Sequence, residues 1–260
     1  MNRLELTFLG TGTAFNHDGR GSQSVLVEPL VGTPFLIDAG PTLMGVLMRE
    51  GLDCETIDRL FLTHLHGDHV AGFPFLLLHF VFLHRRTRPF DVFGPPGTKR
   101  ILEGLTQLCY GDVIDRRQFE VHYHELEVRE TEGQIAGPGL TVDVLPMKHH
   151  ASSIGLRFHL AGGEASERSS RTIAVSGDTG WCNHLEPLAR GSDVLILECT
   201  SRRSEVEGHL SLEEIRRNAG RLAAERIVLV HLTDEVAEAL AIDPIPRVSA
   251  AHDGMLLAID

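Results

Sequence analysis

The residues most able to do chemistry are concentrated in Leu60-Phe-Leu-Thr-His-Leu-His-Gly-Asp-His69, an apolar run that leads into a turn carrying His64, His66, Asp68 and His69. Imidazole nitrogen and carboxylate oxygen are the donors that zinc and its borderline neighbours prefer, and a turn at the end of a rigid strand can aim them in fixed directions. Four such donors around one glycine are too many for one structural role and too few for two metal ions. Further histidines and aspartates are therefore expected at other strand ends. His149, Asp178 and His231 qualify, each just past an apolar run. Seven donors suit two divalent ions that share one carboxylate. Ions about 3.5–4 Å apart can hold a hydroxide between them and polarise a phosphoryl or carbonyl oxygen.

The elements that must position these residues read as alternating strands and helices. Leu4 to Leu9, Ser24 to Glu28, Phe35 to Asp38 and Leu60 to Leu62 are expected as strands, with a helix from Pro41 to Glu50. A helix from Thr98 to Leu108 follows the Gly94-Pro-Pro-Gly97 turn. Phe119 to Val128, Leu140 to Leu145, Ile154 to Leu160, Thr172 to Ser176 and Val194 to Glu198 read as strands, with a polar loop from Gly162 to Arg171. Ser211-Leu-Glu-Glu214 has capping-box spacing and is expected to start a helix reaching Ala224, before a strand at Ile227 to Val230. Helices recurring after strands predict an α/β (α+β) fold with both sheet faces covered. Phe-Leu-Ile-Asp38-Ala-Gly echoes Ala-Val-Ser-Gly-Asp178-Thr-Gly, and Leu-Thr-His64 echoes Leu-Val-His231, as if two related halves meet at one site. The Gly10-Thr-Gly-Thr13 stretch lacks the Lys-Ser/Thr of a phosphate loop and reads as a tight turn.

The 260 residues contain no linker-like stretch, so one domain spanning 1–260 is expected. Thirty-six acids against 24 Lys plus Arg give a formal charge of −12, which disfavours a non-specific grip on long nucleic acid. Cys54, Cys109, Cys182 and Cys199 form no C-x-x-C pair and read as free thiols. The N-terminus alternates like a strand and has no signal-peptide layout, which predicts a cytoplasmic protein. The longest apolar run, Val70 to Leu83, is too short to span a bilayer and reads as a buried helix, a pocket wall or a homodimer contact. His84-Arg-Arg-Thr-Arg88 is the best local basic patch for an anion, or else a solvated cationic helix end. The other histidines have no strand-end placement; His79 and His159 read as packed within apolar segments, and His84 as a surface residue.

The motif His64-Leu-His-Gly-Asp-His69 resembles the H-x-H-x-D-H signature of the metallo-β-lactamase superfamily, and Asp38, His149, Asp178 and His231 follow in the order of its motifs. Within that superfamily, Phe8-Leu-Gly-Thr-Gly12 and Pro-Met-Lys-His149 with Gly155 six positions on resemble the branch of ribonuclease Z and the cyclic phosphodiesterases of phosphonate metabolism. The resemblance implies a four-layer αββα sandwich. It also implies two divalent ions, zinc with manganese or iron as alternatives: His64, His66 and His149 on one, Asp68, His69 and His231 on the other, and Asp178 bridging. His150 competes with His149, and the spacing to Gly155 favours His149. Asp38 would orient a ligating imidazole or fix the turn before Pro41. Glu198 and His209-Leu-Ser resemble the catalytic Glu and His-Ser-Thr of ribonuclease Z, so His209 would protonate the leaving oxygen while Glu198 fixes its tautomer. Asp68, His209 and Glu198 are thus the expected catalytic residues.

True β-lactamases are typically exported and do not generally carry an aspartate at the bridging position, which counts against that activity. The tRNA-gripping arm that many ribonuclease Z members insert between the equivalents of His149 and Asp178 has no room here, where only 28 residues intervene. The expectation is a phosphodiesterase acting through a metal-bridged hydroxide on a small anionic substrate, a small or cyclic phosphodiester. The alternatives are an ester, lactone or sulfate ester hydrolase on the same metals, an RNA endonuclease, and a metal-binding protein without activity.

Overall fold

The structure is a computed structural model and describes residues 3–128, 134–163, 170–203 and 206–259. The first sheet takes β1 (Leu4–Gly10), β2 (Ser24–Glu28), β3 (Phe35–Ile37), β4 (Arg59–Phe61), β5 (Phe90–Gly94) and β6 (Val121–Glu125). The second takes β7 (Gln134–Gly137), β8 (Leu140–Pro146), β9 (Ile154–Ala161), β10 (Ser170–Val175), β11 (Ser192–Glu198), β12 (Ala224–Val230) and β13 (Val248–Ala250). The chain then returns to the first sheet as β14 (Met255–Ile259), so the sheet orders are β14-β1-β2-β3-β4-β5-β6 and β13-β12-β11-β10-β9-β8-β7.

The strand period of two sorts side chains into layers. On β3, β4 and the residue just past β4, Phe35, Ile37 and Phe61 enter a core between the sheets, while Leu36, Leu60 and Leu62 face an outer core under the helices. In the second sheet Val194 and Ile196 point to the central core, and Leu195 and Leu197 to a third cluster beneath helices. All seven residues of β11 are buried, as expected of a parallel strand covered on both faces. Phe158 of β9 joins the layers: its ring lies 4.9 Å from Phe61 and 5.3 Å from Phe35. The helices are α1 (Leu43–Arg49), α2 (Gly67–Val70), α3 (Phe73–Leu78), α4 (Thr98–Tyr110) and α5 (Val113–Arg116) in the first half, and α6 (Leu185–Ala189), α7 (Leu212–Asn218) and α8 (Asp234–Ile242) in the second. The αββα sandwich expected from the motifs is the observed architecture. Among the described residues no helix is long and apolar enough to cross a membrane.

Several expected boundaries are corrected. The helix from Ser211 stops at Asn218, passes through a 3-10 turn to Arg221, and Ala224 already begins β12. The capping box itself is present, with Ser211 and Glu214 exchanging hydrogen bonds. The strand expected from Phe119 to Val128 is shorter, and β7, β13, β14, α5 and α8 were not anticipated. The loop from Gly162 to Arg171 lies mostly outside the described residues, and its last two residues belong to β10. His159 is half-exposed on β9 and bonds Asp143 at 2.7 Å instead of packing in an apolar segment. Cys109 is exposed, whereas Cys54 and Cys199 are buried, and all four thiols are free.

The basic stretch is not an anion patch. Arg86 is one of the largest buried side chains, its guanidinium bonded to Asp58 and the Ile57 and Pro89 carbonyls and set 4.6 Å over the Phe80 ring. Arg88 pairs with Glu55 and Asp58. Of the Val70 to Leu83 run, Phe73, Leu76, Leu77 and Phe80 are buried, while Phe75, Phe82 and Leu83 remain exposed. The Gly10-Thr-Gly turn is closed internally: the Asp253 carboxylate accepts from the Thr11 and Gly21 amides, so it is a structural turn.

Candidate metal centre

The strands deliver the site residues to one edge. Asp38 follows β3, His64 follows β4, Asp178 follows β10, Glu198 ends β11 and His231 follows β12. β3 and β4 are parallel, as are β10, β11 and β12, so these residues leave carboxyl ends of strands, where α/β sheets gather ligands. His66 and Gly67 turn the chain into α2, which carries Asp68 and His69. The two sheets are tied at this edge by the Ile154 amide, which donates to the Thr63 carbonyl at 2.9 Å. Asp38 (φ 59°) and His231 (φ 51°) both sit in the left-handed backbone region, an uncommon place for non-glycine residues that recurs at functional sites.

Two donor clusters result. In one, ligand atoms of His64, His66 and His149 lie within 4.8 Å of one another, with His149 Nε2 3.1 Å from His66 Nδ1. In the other, Asp68, His69, Asp178 and His231 converge in the same way. Asp68 Oδ2 is 3.3 Å from both His69 Nε2 and His231 Nε2. Asp178 stands between the clusters: its Oδ1 is 3.4 Å from His69 Nε2, and its Oδ2 is 3.4 Å from His231 Nε2, 3.8 Å from His64 Nε2 and 4.0 Å from His149 Nε2. All seven expected donors are therefore brought together. His150 is not: it is exposed and bonds Ser152 Oγ through Nδ1.

The donor set fits divalent cations. His64 Nε2 and His69 Nε2 are buried and have no hydrogen-bond partner among the described residues, which costs free energy unless a cation takes their lone pairs. Burial and the neighbouring His69 push His64 down to about 2, and burial lowers His66 and His149 as well, so all three present neutral nitrogens. In the other cluster burial alone would favour neutral groups, but charge wins. The hydrogen bond from His231 and the nearby His69 hold Asp68 well below the carboxylate range, and Asp178 with Asp38 hold His69 well above the imidazole range. The same carboxylates that favour a proton on these buried imidazoles favour a metal cation in its place.

Residues behind the donors fix their orientation. Asp38 is wholly buried; its Oδ2 accepts from His69 Nδ1 at 2.8 Å and its carboxylate also takes the Thr63 amide and hydroxyl. Thr63 Oγ1 in turn lies 3.2 Å from His64 Nδ1. His149 Nδ1 donates to the Gly208 carbonyl at 3.1 Å. Gly208 has φ 78°, and a side chain there would crowd the same imidazole, with its Cβ 3.1 Å from His149 Nδ1. Thr200 Oγ1 accepts from His231 Nδ1 at 2.9 Å and lies 3.1 Å from Glu198 Oε2. Such partners set the tautomer that leaves the other nitrogen for a metal. Thr63, Thr200 and Gly208 were missed in the sequence. Their places within two positions of His64, Glu198 and His209 were the available signal.

His209 lies beside the second cluster, 13 % exposed, with Nδ1 2.9 Å from Glu198 Oε1 and 4.0 Å from Asp178 Oδ2. Glu198 is buried, which raises its carboxyl, and its Oε1 also accepts from the Thr179 amide at 2.8 Å. Burial opposes charge on His209, but the Glu198 hydrogen bond and the charges of Glu198, Asp178 and Asp68 prevail and raise it above its ordinary value.

Two stacked sheets with helices outside and a histidine-aspartate cluster at their shared edge define the metallo-β-lactamase fold. Residues 33–232 match the family model for the beta-lactamase superfamily domain. Ribonuclease Z of Mycobacterium sp. (strain KMS) is 30% identical over 256 residues, which is 90% of this chain and 86% of that protein. Ribonuclease Z of Geobacillus kaustophilus (strain HTA426) is 26% identical over 299 residues, 99% of this chain and 97% of its own. Among solved structures, the short form of human tRNase Z superposes with a TM-score of 0.78 at 24% identity, covering 98% of this chain and 99% of that one. A diphosphatase from the PhnP family does so at 0.73 and 23%, covering 99% and 98%. The chain belongs to the beta-lactamase superfamily, in its metal-dependent, ribonuclease Z-like branch, and is a hydrolase.

Proposed function

We propose that the chain is a phosphodiesterase with two divalent ions, zinc before manganese or iron, that cleaves a small or cyclic phosphodiester. The observation that carries this reading is the 2.9 Å hydrogen bond between His209 and Glu198 beside the bridging position of Asp178. An alkoxide leaving group needs a proton, which the thiolate released by a thioester hydrolase does not need to the same degree. A raised imidazole held by a buried carboxylate is suited to give it.

His64, His66 and His149 would hold one ion, Asp68, His69 and His231 the other, with Asp178 shared. When bound, the ions supply Lewis acidity, lowering the pKa of a water and neutralising charge on the phosphoryl oxygens. Asp68 turns one carboxylate oxygen to His69 and His231, which leaves the other to accept a proton from the attacking water. Asp38, Thr63, Gly208 and Thr200 keep the imidazoles aimed. His209 keeps Nδ1 on Glu198 and so offers Nε2 to the leaving oxygen.

A small substrate is favoured because β9 and β10 occupy most of the stretch between His149 and Asp178, pairing Ser170 with Ala161, and leave eight residues between them. The acidity of the whole chain agrees. A second reading, an RNA endonuclease, draws on the relatives named Ribonuclease Z. The two separate in one assay with metal-loaded enzyme. The first predicts efficient turnover of bis-p-nitrophenyl phosphate and cyclic phosphodiesters with little cleavage of structured tRNA transcripts. Site-specific cleavage of those transcripts at far higher kcat/KM would replace it with the second, and preferential turnover of a lactone or aryl sulfate would replace both.

A further inference from the structure

Away from the sheet edge, Cys54, His79 and His84 bring a thiol and two imidazoles together, with one ligand atom from each lying within 4.8 Å of the other two. Cys54 is wholly buried and opens the 3-10 turn Cys54–Thr56, capped by Asp53, just ahead of β4. His79 begins the π-helical turn His79–Leu83 that continues α3, and His84 caps it. The wide turn decides the geometry. At the pitch of an α-helix, a residue five positions on would point about 140° away. The hydrogen bond from the His84 amide to the His79 carbonyl, 3.0 Å, instead sets the two residues one above the other, with ring centroids 6.3 Å apart. Single π-turns are rare and concentrate at functional sites.

His84 Nε2 stands 3.4 Å from Cys54 Sγ. Tetrahedral zinc, with sulfur at about 2.3 Å and nitrogen at about 2.0 Å, places such neighbours about 3.5 Å apart. The other His84 nitrogen, Nδ1, is 3.5 Å from Glu55 Oε2, a buried oxygen with no hydrogen-bond partner among the described residues, while Arg88 holds Glu55 Oε1 at 2.9 Å. A carboxylate behind a ligating histidine is the usual way its tautomer is fixed. Asp53 Oδ1 lies 3.9 Å from His84 Nε2 and supplies a carboxylate at the exposed side. A thiol-imidazole hydrogen bond alone would explain Cys54 and His84, but neither His79 nor the π-turn.

We propose that Cys54, His79 and His84 bind one zinc-class divalent ion, with Asp53 or water as fourth donor, at a site separate from the sheet-edge centre. The ion would clamp the turn before β4 to the far end of the helical segment that carries Asp68 and His69. Its role would be to stiffen that segment, with no part in the chemistry.

Cobalt titration of the metal-stripped full-length chain tests this. The sheet-edge donors are nitrogen and oxygen only, so a near-ultraviolet sulfur-to-cobalt charge-transfer band reports a cysteine ligand whether or not any phosphodiester is cleaved. The expected result is one equivalent of cobalt giving that band in the wild-type chain. Cys54→Ser should abolish it and lower bound zinc by one ion per chain, and His79→Gln should weaken cobalt binding about tenfold or more. Circular dichroism should show both variants folded. No band in the folded wild-type chain, or a band of full intensity in Cys54→Ser, would overturn the proposal; the wild-type measurement stands even if a variant fails to fold.

Discussion

Asp178 Oδ2 and His209 Nδ1 approach to 4.0 Å, so the imidazole bonded to Glu198 borders the carboxylate that stands between the two donor clusters. Everything proposed for the chemistry depends on that proximity. It places the candidate proton donor beside the position where two cations would hold the substrate.

The leaving group tests His209 directly. His209→Ala should lower kcat by about 10²-fold or more on a phosphodiester with an alkyl leaving group, and far less on bis-p-nitrophenyl phosphate, whose leaving group needs little protonation. Equal losses on both substrates would remove His209 from the role of general acid.

The pH profile tests Glu198. The acid form of His209 is the active one, and its pKa is raised by Glu198, so activity should be present below that pKa and fall as pH rises through it. Glu198→Gln removes the carboxylate charge and should move the basic limb of kcat to lower pH. A limb that stays in place would assign it to another group.

Asp38 predicts a metal phenotype and not a loss of fold. Asp38→Asn keeps the shape but weakens the acceptor for His69 Nδ1, so metal affinity should drop about 10–100-fold, read by competition with a chelator, while excess metal restores much of the turnover. Unchanged affinity would make Asp38 a turn residue only.

Phe158 predicts a stability effect without a change in site chemistry. Its ring joins Phe35 and Phe61 across the two sheets, so Phe158→Ala should lower unfolding free energy by about 3–5 kcal/mol in denaturant titration. A loss near zero would mean that the sheets are held elsewhere.

Much of the site was legible in the sequence because its residues follow apolar strands, where period-two burial ends and a polar side chain has no other reason to sit. Asp38, His64, Asp178, Glu198 and His231 all obey that rule. The histidines of the π-turn do not, since a five-residue spacing is invisible to helix and strand periods, and His84 read as a surface residue. Arg86 misled for a related reason: a charge run looks solvated unless the Asp58 carboxylate and three phenylalanines that receive it are known. The closing strand β14 was missed because Leu256 faces outward and blurs the alternation. Its pairing partner β1 lies at the opposite end of the sequence.

The most direct test of the dimetal phosphodiesterase combines metal content with turnover in Asp178→Ala. The metal-loaded wild-type chain is expected to hydrolyse bis-p-nitrophenyl phosphate, and Asp178→Ala to lose two ions per chain and the activity with them while retaining any ion bound at Cys54. A variant that keeps its full metal content and its turnover, or a fully loaded wild-type chain that cleaves no phosphodiester, would contradict it.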